Sequence, residues 1–376
     1  MAAFTDIRER TTAIGLSAAV GALAIAAGPA LGGLISQHAR WGWIFLINVP
    51  VGVITFVIAA RYVSESRAQS ADRRLDMPGL VSSAVALFAL TYALIEGEVK
   101  GWTSALILGA FAVAAVAAAA FGAVESRTAN PMVHLGMFRR REFSGGTGTM
   151  MIWSFGILGI YFFTSLYLQR ILGFSPTKAG LAFVPMALCV AVFAAIAPRV
   201  QALAGAHRTV AAGMAIMVAG LVLFARLGLH AGYVSLLPGF MLFGAGAGLM
   251  NVPLTNAVMQ AVPPVQAGIA SALLNASREV AGLLGITVIG AILSTREAAA
   301  LRAGSEPVNA FVDGYHTGLL VTIGLMAAGV VVSYLSLRPR SAGQSAQAGP
   351  AAEITAAGEI EAIGESLGEL VIADEP

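Results

Sequence analysis

Charged side chains are scarce in this chain: 11% of its 376 residues are Asp, Glu, Lys or Arg, against roughly a quarter in an average soluble domain. With 57% hydrophobic residues, a fold of this length in water would leave large apolar patches exposed. The scarcity excludes ordinary globular packing and points to lipid as the solvent. Cysteine is nearly absent. The single Cys189 lies inside an apolar run, which excludes an intramolecular disulfide framework and a cysteine metal cluster. Histidine is thin as well. His38, His134, His207, His230 and His316 sit at the ends of apolar runs or between them, with no paired spacing suited to a metal or a catalytic triad. No phosphate-binding glycine loop occurs. These absences argue against an enzyme and against a resident metal or cofactor.

What is abundant is length in apolar runs. Runs of 18 or more residues, broken by charge, Pro or Gly, lie near 12–35, 43–63, 77–97, 103–124, 145–168, 178–199, 208–229, 234–258, 267–294 and 316–337. Each is long enough to cross about 30 Å of hydrocarbon as a helix. The expected fold class is an all-α polytopic membrane protein of about ten transmembrane helices, with the lipid bilayer as its first partner. The first run exceeds the hydrophobic stretch of a secretory signal, and further spans follow it.

Charge is unevenly placed. Residues 341–376 hold seven acids and no Lys or Arg, so the formal net charge of +2 conceals 22 bases against 13 acids elsewhere. Those bases are spread over short loops instead of forming one stripe, which argues against nucleic acid as a partner. With residues 1–11 in the cytoplasm, fourteen bases fall in inside loops and seven in outside loops, Arg278 remaining within a span. The positive-inside rule then puts both termini in the cytoplasm. Trp41, Trp43 and Trp102 fall near the outer span ends, where amphipathic rings straddle headgroup and hydrocarbon. The tail after Pro339 cannot bury enough apolar area to order itself and is expected to be disordered. Ile360, Ile363, Leu367 and Leu370 at helical spacing leave a short acidic amphipathic helix as the alternative.

Polar and small residues inside the spans are the candidates for function. In the first span Gly21, Gly28 and Gly32 lie within about 20° of one helical face, a groove for close approach of another backbone, and Pro29 adds an expected kink. Arg278 falls near the middle of the ninth span, where a cation costs about 2.5–3.5 kcal/mol on insertion scales. Ser271, Asn275, Arg278, Gly282 and Gly285 share a face within about 40°, so that face is expected to look into protein or water, with a buried partner for Arg278. Glu279 points about 100° away, need not pair with Arg278, and is a candidate protonatable group. In the eighth span Gly244, Gly248, Asn251 and Thr255 align. Such polar residues serve either as helix fasteners or as pathway lining. Trp153, Phe155, Tyr161, Phe162, Phe163 and Tyr167 of the fifth span offer either a flat surface for an apolar or cationic aromatic compound or a lipid-facing belt.

The string GPALGG, Gly28 to Gly33, resembles the antiporter motif of the major facilitator superfamily. WGWIFLINVPVG, Trp41 to Gly52, resembles the hallmark that follows it in the fourteen-helix multidrug proton antiporters of the EmrB/QacA type. SLYLQRILGFSPTKAGLAFVP, residues 165–185, and NVPLTNAVMQAVPPVQAGIASALLNASREVAGLLG, residues 251–285, are similar to further stretches of that family, and the likeness runs from about residue 4 to 338. The resemblance implies that the first span corresponds to the family's fifth helix, that four N-terminal helices are lacking, and that the family's first-helix acid is lacking with them. It divides the chain into residues 1–63, the last two helices of the N-terminal bundle; 64–76, a cytoplasmic linker; 77–124, two linker transmembrane helices; 125–144, a second linker; 145–338, the C-terminal six-helix bundle; and 339–376, the tail. It marks Gly21, Gly28, Pro29, Gly32 and Gly33 as antiporter-motif packing residues. It places Gln169 at the outer end of its helix, which adds this residue to the pathway candidates read from the spans themselves, Trp153, Asn251, Thr255, Asn275, Arg278 and Glu279. The function it implies is export of a drug or other small amphipathic substrate across the bacterial inner membrane, with the proton as coupled partner and the proton gradient as energy source instead of any cofactor. The alternative expectation is an inactive, N-terminally truncated remnant, or a structural partner that needs a separate chain for the missing helices.

Overall fold

The computed structural model describes residues 24, 27–40, 42–62, 76–128, 133, 135–226, 232–263 and 266–338. Gly21, Trp41, the 64–75 part of the first linker and the tail from 339 lie outside the described residues, as does most of the first expected span. The described residues up to Leu337 belong to one compact unit; Arg338 belongs to a second, otherwise outside the description.

Among the described residues every regular element is helical. Helix α1 covers 27–38, α2 Trp43–Leu46 and α3 Asn48–Tyr62. Helices α4, Met77–Lys100, and α5, Ala105–Arg127, form a hairpin. A 3-10 turn, Leu135–Arg139, leads into α6, Arg141–Arg170. Then come α7, Pro176–Leu181; α8, Val184–Ala204; α9, Ala206–Ala225; α10, Tyr233–Gln260; α11, Ala267–Arg302; and α12, Pro307–Ser336. Nine helical stretches here are long and apolar enough to cross a membrane, each matching one of the nine expected runs after the first.

Local chemistry sets the helix ends. Asp76 caps α4 by accepting from the Gly79 N–H at 2.9 Å, and Ser104 caps α5 through the Ile107 N–H. Pro176 and Pro307 open α7 and α12 in the first turn, where a missing N–H costs nothing. Gly205 alone separates α8 from α9 and adopts φ 81°, a left-handed conformation that side chains with a Cβ disfavour. The longest departure from the expected spans is at α11, which continues past 294 to Arg302, with α12 starting at Pro307 instead of 316. Hydropathy senses the edge of the hydrocarbon, whereas TREAAALR is rich in strong helix formers and extends the helix beyond it.

Helices α6 and α8–α12 form a bundle in which glycine decides how closely backbones approach. A Cβ on Gly246 of α10 would strike the Gly213 carbonyl of α9, and one on Gly213 would stand 2.8 Å from the Gly246 carbonyl. Gly244 and Gly248 bring α10 onto the Met186 and Val190 carbonyls of α8, and Gly285 brings α11 onto the Phe155 carbonyl of α6. Lipid offers no hydrophobic gain for helix association, so such contacts and buried hydrogen bonds must supply it. Thr164 and Tyr315 share one of these bonds at 2.9 Å between α6 and α12. At the start of α6, Arg140 donates to the Ala261 carbonyl at 2.6 Å and Arg141 donates to the Leu335 carbonyl. Two adjacent arginines thus hold the C-terminal ends of α10 and α12, where the helix dipole favours cations.

The remaining helices are held differently. The α4–α5 hairpin touches the bundle through α4 on α11, and Glu125, only 4% exposed, accepts from the Val133 N–H at 3.1 Å to fasten its base. At the opposite end the Trp102 ring fills the space over Gly97. No residue of α2 or α3 is buried.

Candidate ligand cavity

Two adjoining cavities, about 610 and 540 Å³, lie between α1 and the bundle and share Gly28, Pro29, Leu158 and Tyr161 as wall. Both run along α6. Trp153, Ile157, Tyr161, Ser165 and Gln169 follow at four-residue spacing, a row that winds about 160° around the helix while rising about 24 Å, most of the thickness of a bilayer core. The larger cavity is closed by Met186, Val190, Gly248 and Asn251 of α8 and α10 and by Arg278 and Glu279 of α11; the smaller reaches Gln169 beside Gly32 and Gly33.

The α1 wall is anchored on α7. A Cβ on Gly33 would collide with the Pro176 carbonyl, and one on Gly180 with the Pro29 carbonyl. Thr177 donates through Oγ1 to the Gly33 carbonyl at 3.3 Å and through its N–H to the Gln37 Oε1 at 3.2 Å. Gly28 and Gly32, expected to pack against a neighbouring backbone, instead meet nothing within 4 Å among the described residues. The rotation of α1 turns Gly33 toward α7 and leaves Gly28 and Gly32 as open floor of the cavity. Pro29 is within the described helix, but residues 25 and 26 are not, so the kink expected there lies outside the description.

Arg278 also departs from expectation. Its Nη2 reaches the Glu279 Oε1 at 3.1 Å, and the two side chains are 40% and 68% exposed. There is no buried partner among the described residues, and the pair was expected to point apart. Two long side chains close an angular gap of about 100° easily, and the polar cavity end spares both charges full desolvation. Because α11 is longer than the hydropathy run, Arg278 sits in its first third. It is the Arg278 carbonyl that contacts α6, accepting from the Ser154 hydroxyl at 2.7 Å.

Of the candidate pathway residues, Trp153, Gln169, Asn251, Arg278 and Glu279 line the cavities. Thr255 and Asn275 do not. Asn275 is exposed and donates to the Ser271 carbonyl one turn back at 3.0 Å, and Thr255 lies one turn beyond the cavity end of α10. Leu158, Met186 and Val190 were missed, since an aliphatic residue on a cavity wall has the same sequence signature as one facing lipid. Tyr161 is held by stacking on Phe183, ring centroids 4.2 Å apart. Its hydroxyl and the Trp153 indole N–H are buried without a hydrogen-bond partner, two polar groups of the wall that no described protein atom satisfies.

A bundle of helices long and apolar enough to cross a membrane, with two adjoining, mostly apolar cavities against the glycine-rich α1, defines a polytopic membrane protein. Residues 1–286 match the Major Facilitator Superfamily, and the chain belongs to that superfamily. It is 34% identical over 316 residues to "Multidrug resistance protein Stp" of Mycobacterium tuberculosis, covering 82% of this chain and 58% of the relative. It is 32% identical to "Tetracenomycin C resistance and export protein" of Streptomyces glaucescens, over 84% of this chain and 60% of that one. It is also 32% identical to "Methylenomycin A resistance protein" of Streptomyces coelicolor, over 77% and 61% respectively. The chain thus spans about three fifths of the length of these relatives.

Proposed function

We propose that this chain is a transmembrane efflux transporter of the fourteen-helix multidrug proton antiporter type, exporting small amphipathic compounds across the bacterial plasma membrane. The observation that carries the reading is the pair of adjoining cavities that together follow α6 for about 24 Å, aromatic and aliphatic along their walls, with the Arg278–Glu279 pair in one and Gln169 at the far end of the other. Resistance and export relatives at 32–34% identity support the same reading. The mechanism is alternating access: helices on the two sides of the cavity rock about it, and no substrate bond is broken. Glu279 is the candidate proton carrier, because it lines the cavity and its only described ion partner is exposed. Both termini are cytoplasmic in this reading.

The test is efflux of a fluorescent amphipathic dye from cells making the chain. Efflux that stops at once when the proton gradient is collapsed supports the reading, and gradient-independent efflux or none contradicts it. A second reading is favoured by α3, whose residues are all unburied: the chain assembles with helices from a separate chain before it transports. Efflux restored only when an N-terminal helix bundle is co-expressed would establish that alternative.

A further inference from the structure

A third cavity, about 640 Å³, lies away from the passage, where the α4–α5 hairpin meets α11 and α12. Leu94 and Trp102 form its hairpin wall; Thr287, Ala291 and Arg296 of α11, with Thr317 of α12, form much of the other. From Thr287 to Arg296 the α11 wall rises about 14 Å, close to half of a hydrocarbon core of about 30 Å. The crevice therefore has the depth of one leaflet. Its polar end coincides with the α4–α5 turn, where Trp102 sits as an interfacial ring.

The charges at this end are not equivalent. Lys100 is paired with Glu96 at 3.0 Å and donates to the Tyr92 hydroxyl at 2.7 Å. Arg170 reaches Glu297 at 3.9 Å and lies over the Phe311 ring. Glu98 leans over Gly290, six residues further into the bilayer than Arg296. Arg296 alone of these three bases has no ion pair or hydrogen bond among the described residues, and it stands exposed at the mouth of an apolar crevice.

We propose that this crevice is a binding site for an anionic phospholipid, with one acyl chain lying along α11 between the hairpin and the bundle and the phosphate headgroup on Arg296. An apolar slot one leaflet deep fits a chain of that leaflet, and a free interfacial cation supplies the headgroup preference. The lipid would complete a contact that the protein makes only partly, since along its length the hairpin meets the bundle mainly through α4 on α11, with Glu125 and Phe121 of α5 holding its base. The proposal is independent of what the central cavity transports.

The test uses the full chain in nanodiscs containing phosphatidylglycerol or phosphatidylcholine with brominated acyl chains, read as quenching of Trp102 fluorescence after subtracting a Trp102→Phe control. One interfacial cation corresponds to roughly a fivefold preference for the anionic lipid. Brominated phosphatidylglycerol is expected to quench Trp102 at about one fifth the mole fraction needed with phosphatidylcholine. Arg296→Gln is expected to equalise the two lipids, Arg296→Lys to keep the preference, and Ala291→Phe to weaken quenching by both. Equal quenching by the two lipids in the unmodified chain, or a preference that survives Arg296→Gln, overturns the proposal. Should Arg296→Gln fail to fold, the Lys and Phe variants still decide it: loss of preference with Lys or undiminished quenching with Phe counts against the site.

Discussion

Helix α10 and the stretch from Trp43 to Tyr62 make an instructive pair. The second is the more apolar, yet none of its residues is buried, whereas fourteen of the 28 residues of α10 are. In water that order would be reversed, because burial follows hydrophobicity. In a bilayer an apolar helix can stay unburied by protein because lipid solvates it, and a helix that packs closely on other helices uses glycine and polar residues to do so. Gly244, Gly246 and Gly248 let α10 lie against α8 and α9; Gly52 of α3 meets nothing within 4 Å among the described residues.

The largest effect that sharpens this contrast is expected from Gly246→Leu. Its side chain has no room against the Gly213 carbonyl, and the backbone cannot yield as a side chain does. Overpacking of this kind costs about 1–3 kcal/mol or more, so the variant should lose most of its monodisperse material in detergent size-exclusion. Gly52→Leu, the matched change in α3, should leave that profile unaltered; a collapse there would show that α3 has a protein partner.

The cavity permits a similar comparison within α1. Gly33→Leu should separate α1 from α7 and lower the thermal midpoint. Gly28→Leu should leave the midpoint in place while reducing dye efflux several-fold, since its side chain projects into open cavity. Unchanged efflux in a well-expressed Gly28→Leu protein would remove this glycine from the passage.

A smaller effect is expected at the base of the bundle. Arg140→Ala removes the hydrogen bond to the Ala261 carbonyl and should cost about 1 kcal/mol of stability, measured as a shift in midpoint under chemical denaturation. The smallest concerns the cavity pair. Arg278→Ala and Glu279→Gln should leave stability nearly unchanged, because so exposed a pair contributes at most about 1 kcal/mol, while altering the pH dependence of efflux. Efflux with normal pH dependence in both variants would end the role assigned to Glu279.

Much of the fold could be read from the chain alone, and the places where that reading stopped have physical causes. Spans from 43 to 260 fell within a few residues of the helices observed. At α11 the expectation ended where the hydrocarbon ends, while TREAAALR carried the helix on to Arg302. Among the cavity-lining residues, Trp153, Asn251, Arg278 and Glu279 stand out as polar or aromatic exceptions in apolar runs, whereas Gln169, just past the 145–168 run, is marked only by the family resemblance. Thr255 and Asn275 carry the same signal without lining either cavity, since a small polar side chain is equally satisfied by its own helix, as Asn275 is by the Ser271 carbonyl.

By itself, the sequence determined that this protein lives in a bilayer and where its helices cross, because hydropathy and helix propensity add up locally along a chain. Only the tertiary structure decided which glycine is a contact and which is open space. Gly28 and Gly33 belong to one motif, yet Gly33 presses on Pro176 while Gly28 faces the cavity. That outcome depends on the rotation of α1 against α7, a relation between two helices that neither one's residues specify. The meeting of Arg278 with Glu279 has the same origin: helical periodicity set their azimuths, and the space left by α6 and α10 decided where their long side chains went.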